Sequence, residues 1–226
     1  MNKLSVVIPV YNEEKTVKDI LDKVLEVEIN KELIVVDDGS SDSTPRILRS
    51  IDHPHIRIFI KEKNEGKASA VRYGIDKARG DYILIQDADL EYDPADYQGL
   101  VEPLIAGEAD AVYGNRFPLG RKNMFFKQWA ANKFLTVLTN VLFFGNIGDM
   151  ETCYKIIPTQ LLRSLQLEEE KFGIEAEVTA KLLKQKVRIK NVPIKYMGRS
   201  YQEGKKIGFK DAIAAVKILF KYRFKK

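Results

Sequence analysis

The chain has 226 residues, 45% hydrophobic and 31% charged, with one cysteine (Cys153) and a formal net charge of +5. That length accommodates one α/β domain with a sizeable core. The lone cysteine excludes an internal disulfide and points to a reducing compartment, and no zinc-finger, RNP or helix-turn-helix pattern supports nucleic acid as a partner.

Leu4 to Pro9 is a β-branched strand ended by proline, and no N-terminal signal is expected because Met1-Asn2-Lys3 leads straight into it. Asn12-Glu13-Glu14 opens a helix whose Val17, Ile20, Leu21, Val24 and Leu25 recur at helical spacing. Leu33 to Val36 is a second strand, running into Asp37-Asp38-Gly39-Ser40-Ser41-Asp42, and Thr44-Pro45 starts a short helix. Ile56 to Ile60 reads as a third strand, Asn64 to Lys67 as a turn, and Ala68 to Ala78 as a helix closed by Arg79-Gly80. Tyr82 to Ile85 is then an apolar strand that runs through Gln86 and stops at Asp87 and Asp89. This alternation predicts parallel pairing through right-handed crossovers.

The second half predicts a helix over Pro94 to Ile105, a strand over Ala111 to Asn115 ending at Arg116, and a long Phe/Leu-rich helix over Phe125 to Phe144. Cys153 to Ile157 is strand-like, with helices following over Thr159 to Leu165 and Glu175 to Gln185. Val187 to Tyr196 reads as a strand, Met197 to Lys206 as a basic loop, and Gly208 to Phe224 as an amphipathic helix. The longest uncharged run, Phe134 to Gly148, falls short of the ~20 apolar residues a spanning helix needs. Charge is uneven: Arg199 to Lys226 holds nine Lys/Arg against two Asp/Glu, a net of +7, so an anionic partner, either phosphate or a membrane surface, is expected at that end. One domain over residues 1–207 followed by a basic amphipathic helix over 208–226 is the expected organisation.

Ligands of open α/β sheets bind outside the carboxyl ends of the strands. Asp87 and Asp89 sit there with hard oxygens that suit Mg²⁺ or Mn²⁺ and, through the ion, a phosphate; capping of the next turn is the plainer alternative. Asp37 and Asp38 end the second strand in the same way, and Asp-Gly is equally a turn signal. No Gly-x-Gly-x-x-Gly follows a strand, and Gly66-Lys67 lacks the rest of a P-loop. His53 and His55 bracket a proline with no third ligand nearby, and no other histidine exists for a Ser-His-Asp triad.

Four motifs stand in order: VVIPVYNEE (Val6 to Glu14), VDDGSSDST (Val36 to Thr44), NEGKASAVRYG (Asn64 to Gly74) and GDYILIQDADLEYDP (Gly80 to Pro94). Together they resemble a family-2 nucleotide-sugar glycosyltransferase of the GT-A fold. GNRF (Gly114 to Phe117), DMETCYK (Asp149 to Lys155) and YMGRSYQEGKKIGFKDAI (Tyr196 to Ile213) are similar to the branch containing the dolichyl-phosphate (polyprenyl-phosphate) mannose and glucose synthases. Two departures are expected to matter: no membrane-spanning extension of the kind some relatives carry is expected, and Glu91 stands where some mannosyl members have Gln.

The resemblance implies an α/β fold of GT-A type, an open, mostly parallel Rossmann-like sheet with flanking helices. It implies a metal-dependent (Mg²⁺ or Mn²⁺) inverting hexosyl transfer from a nucleotide diphosphosugar of the GDP-mannose or UDP-glucose type to a polyprenyl or dolichyl phosphate. The chain is then expected in the cytoplasm, peripheral at the cytoplasmic face of a membrane. Pro9, Tyr11 and Glu13 would line the nucleoside pocket, with Asp37 or Asp38 on the base and Lys67 also on the donor. Asp89 would hold the metal, aided by Asp87 and Glu91. Arg116 and Arg121 would face the acceptor phosphate, and Arg199 and Lys205 would close over the donor diphosphate. Asp149 stands where hydroxyl-using relatives place a base, so transfer to a saccharide hydroxyl is the enzymatic alternative, and a non-catalytic membrane-associated binding protein is the alternative outside enzymology.

Overall fold

The computed structural model describes residues 2–119, 125–170, 173–199 and 209–225. Arg121 and Lys205, both expected at the site, lie outside the described residues.

The first half follows the order read from the sequence: β1 (Leu4–Val10), α1 (Val17–Glu26), β2 (Lys31–Asp37), α2 (Thr44–Arg49), β3 (Ile56–Ile60), α3 (Lys67–Lys77) and β4 (Tyr82–Ile85). β1 pairs in parallel with β2 (Val6 opposite Leu33) and with β4 (Val6 opposite Leu84), and β2 with β3. The strands are continuous apolar runs because both faces are covered. Side chains alternate between two cores: Val7, Ile34, Val36, Ile83 and Ile85 face one layer of helices, while Val6, Ile8, Leu33, Val35 and Leu84 face the other. α1, whose Val17, Ile20, Leu21 and Val24 are all buried, covers the second face with α2.

The second half comprises α4 (Tyr97–Ile105), β5 (Ala111–Asn115), α5 (Phe126–Phe143), β6 (Lys155–Pro158), α6 (Thr159–Ser164), α7 (Ile174–Lys184), β7 (Ile189–Pro193) and α8 (Phe209–Phe224). The sheet order is β3-β2-β1-β4-β6-β5-β7. β6 is wedged between β4 and β5 and runs antiparallel to both, while β5 and β7 are parallel. The mostly parallel open sheet is therefore present, with one reversed strand inside it. Because β6 points the other way, its entry side lies at the edge where β1, β2, β3, β4, β5 and β7 exit. Six strand ends and one strand beginning share that edge.

The expected strand over Val187 to Tyr196 shortens to Ile189–Pro193, with an isolated bridge from Tyr196 to Tyr92. Thr159 fixes the far end of the wedge: its N–H donates to Asp81 O (2.9 Å) and its hydroxyl to Gly80 O (2.6 Å).

α8 lies against α5 and α7, and its Ala215, Ile218, Leu219 and Tyr222 belong to the same core as β1 and α7. Of the apolar face that the helical spacing suggests, Leu219 is buried, whereas Ile213 and Phe220 are exposed. α5 buries Leu135, Thr136, Thr139 and Phe143 and leaves an apolar stripe outside: Phe126, Phe134, Val137 and Val141, continued by Phe144 in a left-handed cap. Asn140 holds the turn beyond that cap, exchanging hydrogen bonds of 2.9 Å with both Ile147 O and Ile147 N.

Candidate active site

β1 and β4 are neighbours in the sheet but are separated in the chain by β2 and β3, so the crevice outside their ends is a topological switch point, the usual ligand position in such sheets. The loop after β1 is clamped to the loop after β2. Asn12, in the left-handed region at φ 53°, receives a bond from Ser41 N (2.8 Å) and donates its own N–H to Ser40 Oγ (2.8 Å), while Glu13 N donates to Thr44 Oγ1 (3.0 Å). Gly39 has φ +70°, and a Cβ there would stand 2.5 Å from the Lys63 carbonyl carbon, so only glycine fits. These contacts explain the run of Ser, Thr, Asp and Gly at this point. Pro9 is half-buried at the end of β1, and Tyr11 beyond it is 36% exposed at the rim.

The paired aspartates at the end of β2 are buried and already engaged. Asp37 accepts from the Ser40 hydroxyl and N–H. Burial pushes its carboxyl up, with the charges of Asp42 and Asp38 adding to the rise. Asp38 accepts from Lys61 Nζ (2.6 Å), Gly66 N (2.7 Å) and Glu65 N (3.2 Å), which anchors the turn leading into α3.

Beyond β4 the acids divide between two cations. Asp87 meets Lys67 Nζ at 2.8 Å, and the same ammonium reaches Glu175 at 2.9 Å. Burial alone would push Lys67 down, but Asp87 and Glu175 hold its ammonium well above the usual lysine range. Asp89 accepts from Glu91 N (3.1 Å) across the left-handed Leu90 and meets Arg199 Nη2 at 3.2 Å. Arg199 also donates both Nη groups to Glu13 (3.1 and 3.2 Å) and its backbone N–H to Glu91 Oε1 (2.7 Å). Glu91 Oε2 takes the Tyr196 hydroxyl at 2.6 Å. Burial, then the charges of Asp87 and Glu91, push the Asp89 carboxyl up to about 7 even beside Arg199. The cluster holds more negative charge than its two cations relieve.

Among the described residues no three His, Cys, Asp or Glu side chains converge tightly enough to enclose an ion by themselves. Mg²⁺ commonly takes one or two carboxylates and completes its shell with substrate phosphates and water. Asp87 and Asp89, hard donors with charge to spare, fit that kind of site.

β5 delivers Arg116, only 5% exposed, whose Nε and Nη2 fork onto Asp149 at 2.6 and 2.9 Å. The guanidinium lies over the rings of Tyr196 (5.1 Å) and Tyr92 (5.9 Å), which fix its plane. Asp149 opens the segment leading into β6, and Lys155 pins that segment by donating to Met150 O (2.9 Å) and Thr152 O. Glu151 lies between these groups; its Oε1 is shut from solvent with no hydrogen-bond partner, and burial followed by the charge of Glu175 pushes its carboxyl up to about 7.

The structure thus brings Glu13, Asp87, Asp89, Glu91, Lys67, Arg116, Asp149 and Arg199 to one edge of the sheet. Gln86, Glu175, Tyr92, Tyr196 and Glu151 join them without having been expected at the site from the sequence. Gln86 accepts from the Tyr97 and Tyr154 hydroxyls at 2.6 Å each and donates to Asp87 O at 2.9 Å, locking the backbone that presents the acids. A polar residue inside the apolar run before Asp87 was the available signal for Gln86. Glu175 reads locally as an ordinary acid in the first turn of a helix.

The profile described as Glycosyl transferase family 2 matches residues 5–165. The undecaprenyl-phosphate 4-deoxy-4-formamido-L-arabinose transferase of Proteus mirabilis (strain HI4320) is 34% identical over 164 residues, covering 69% of this chain and 49% of the relative, so the chain spans about half that protein's length. The UDP-N-acetylglucosamine–dolichyl-phosphate N-acetylglucosaminyltransferase of Methanococcus voltae is 28% identical, covering 90% of this chain and 91% of the relative. Among solved structures, glucosyl-3-phosphoglycerate synthase from Mycobacterium tuberculosis, crystallised with Mn²⁺, UDP and phosphoglyceric acid, superposes with a TM-score of 0.76 at 21% identity, covering 99% of this chain and 79% of that one. That likeness establishes the shared GT-A architecture.

Proposed function

The chain belongs to glycosyl transferase family 2, and from that premise we propose that it moves a hexose, with inversion, from a nucleotide diphosphosugar of the GDP-mannose or UDP-glucose type to a polyprenyl phosphate at the cytoplasmic face of a membrane. The observation that carries the acceptor reading is the exposed stripe Phe126, Phe134, Val137, Val141 and Phe144 on and after α5, next to exposed Phe220 and Phe224 of α8. Lys127, Lys217 and Arg223 are exposed on the same two helices, and the Arg223 guanidinium lies 5.8 Å from the Phe144 ring centre. Apolar side chains set among cations suit peripheral seating on an anionic bilayer. No described helix is long and apolar enough to cross one.

In this reading Pro9 at the end of β1, with Tyr11 and Glu13 in the loop after it, holds the nucleoside, with Asp37 and Asp38 beneath them. Asp89, with Asp87, would hold Mg²⁺ or Mn²⁺, which when bound neutralises charge growing on the departing diphosphate. Lys67 holds Asp87 in place, and Arg199 offers a guanidinium fork to the diphosphate oxygens. Stabilisation of the leaving group counts because its charge is greater in the transition state than in the ground state. Arg116, its plane fixed by two tyrosines and by Asp149, faces the acceptor phosphate. A phosphate monoester is already an anion near neutrality and needs no general base. Asp149, committed to Arg116 through both oxygens, suits orientation of that arginine better than proton removal from a sugar hydroxyl.

The test offers one radiolabelled donor at a time with a polyprenyl phosphate, the matching unphosphorylated polyprenol and a simple sugar alcohol, and counts label in the organic extract and in the aqueous product. Label passing to the phosphate alone is expected. Transfer to the sugar alcohol but not to the phosphate would reject the reading.

A further inference from the structure

Arg199 engages three acids from two different strand ends. Its Nη groups lie 3.1 and 3.2 Å from Glu13 and 3.2 Å from Asp89, and its N–H lies 2.7 Å from Glu91. Its Nε is buried and has no hydrogen-bond partner, so the side chain is seated for its Nη contacts and leaves a third donor unused. Asp87, two residues before Asp89, is served from the opposite side by Lys67, which Glu175 anchors in turn. The carboxylates are therefore arranged around two separate side-chain cations, which accounts for their failure to converge on a common point among the described residues. A guanidinium is not deprotonated in proteins, so it can yield its place only by moving, and a diphosphate matches its fork as well as carboxylates do.

We infer that Arg199 is a built-in counter-ion of the acidic strand end: it occupies the charge position of a divalent cation when the site is empty, and it competes with that cation until a donor diphosphate draws it away. The inference rests on the reading of this edge as the donor site. Cation binding in the absence of nucleotide is then weakened by Arg199, whereas nucleotide diphosphate and cation bind together more tightly than either does alone, because the diphosphate gives Arg199 its second set of oxygens.

The experiment titrates Mn²⁺ into the full chain without nucleotide, sugar or lipid and follows the free ion by its electron paramagnetic resonance signal. Removing one positive charge a few ångströms from Asp89, at the effective dielectric of a partly solvated site, predicts Mn²⁺ affinity about tenfold tighter in Arg199→Met than in the parent chain. The same variant should bind UDP or GDP more weakly in the presence of Mn²⁺, a reversal of sign that a merely structural arginine would not produce. Asp89→Asn added to Arg199→Met should remove the tightening. Arg199→Gln, read in the same way, serves if the methionine variant does not fold. Mn²⁺ affinity that is unchanged or weaker in a folded Arg199 variant overturns the inference, as does the absence of saturable Mn²⁺ binding by both proteins. Because the titration contains no acceptor, tightened Mn²⁺ binding without transfer to polyprenyl phosphate would count against the acceptor alone.

Discussion

Replacing Phe134, Val137 and Val141 together by serine removes the middle of the exposed stripe on α5. These side chains are 59%, 59% and 66% exposed, so well over half of each remains to be buried by a bilayer. Complete burial of such a side chain is worth roughly 1.5–3 kcal/mol, and the exposed share about 1–2 kcal/mol. Three substitutions then cost about 3–6 kcal/mol of partitioning, or about two to four decades in the binding constant at about 1.4 kcal/mol per decade. Serine has a helix propensity close to those of Phe and Val, and none of the three side chains is part of a buried cluster, so the melting temperature should barely move. Flotation with vesicles rich in anionic phospholipid, at low and high salt, reads the effect: the parent chain floats and salt weakens it, while the triple variant stays at the bottom in both conditions. A triple variant that floats as well as the parent would refute the assignment of this stripe to the membrane.

Asp89→Asn should abolish transfer while leaving the circular dichroism spectrum unchanged; undiminished activity in the variant, or in the parent with excess chelator, refutes the metal role. Arg116→Lys should lower turnover and acceptor affinity and spare donor affinity, because lysine cannot reproduce the fork that Asp149 receives; a loss confined to donor binding would contradict this. Lys67→Met leaves half-buried Asp87 and buried Glu175 without their shared cation and should cost about 3 kcal/mol in urea unfolding, with a change below about 1 kcal/mol counting against the bridge. At the opposite edge of the sheet, burial alone would raise Glu32, but bonds from Ser5 and Arg79 N–H and the charges of Lys3 and Arg57 hold its carboxyl below the usual range. A depressed pKa in the folded state contributes stability that is complete above the unfolded value and lost as pH falls through the folded one. Urea midpoints of Glu32→Gln should therefore fall less than those of the parent between about pH 5 and pH 3; parallel curves would refute that.

The half built from β1 to β4 was readable because each of its strands is a local apolar run and each acid follows such a run directly. Asp87 and Asp89 announce themselves in that way. The wedge of β6 was not readable, since Ile156 chooses Leu84 and Val112 as partners across long stretches of chain and nothing local encodes the reversed direction. Arg116 and Asp149 were each identified, but their fork joins positions 33 residues apart and changes what each can do. Arg199 was expected over a diphosphate; its ion pairs with Glu13 and Asp89 join stretches as far as 186 residues apart, which no local pattern encodes. Tyr196 opens a motif quoted above, but nothing in it marks the ring as a partner of Glu91 and Arg116, and Glu175 reads as an ordinary helix residue.

The wedge has a consequence for how the chain reaches this fold. β4 is synthesised some seventy residues before the strand that covers its outer side, so a nascent or truncated chain ending short of Lys155 has β1 on one side of β4 and nothing on the other. An unpaired apolar edge is a template for another chain's strand, and here it is only four residues long, which limits the damage such pairing does. Closing that edge requires contacts of long sequence separation, whose loop-closure entropy falls due before their enthalpy is gained. The amide hydrogens of β4 should accordingly gain protection from solvent exchange later than those of β1 and β2, and the Thr159 clamp onto Gly80 and Asp81 marks the moment at which they do.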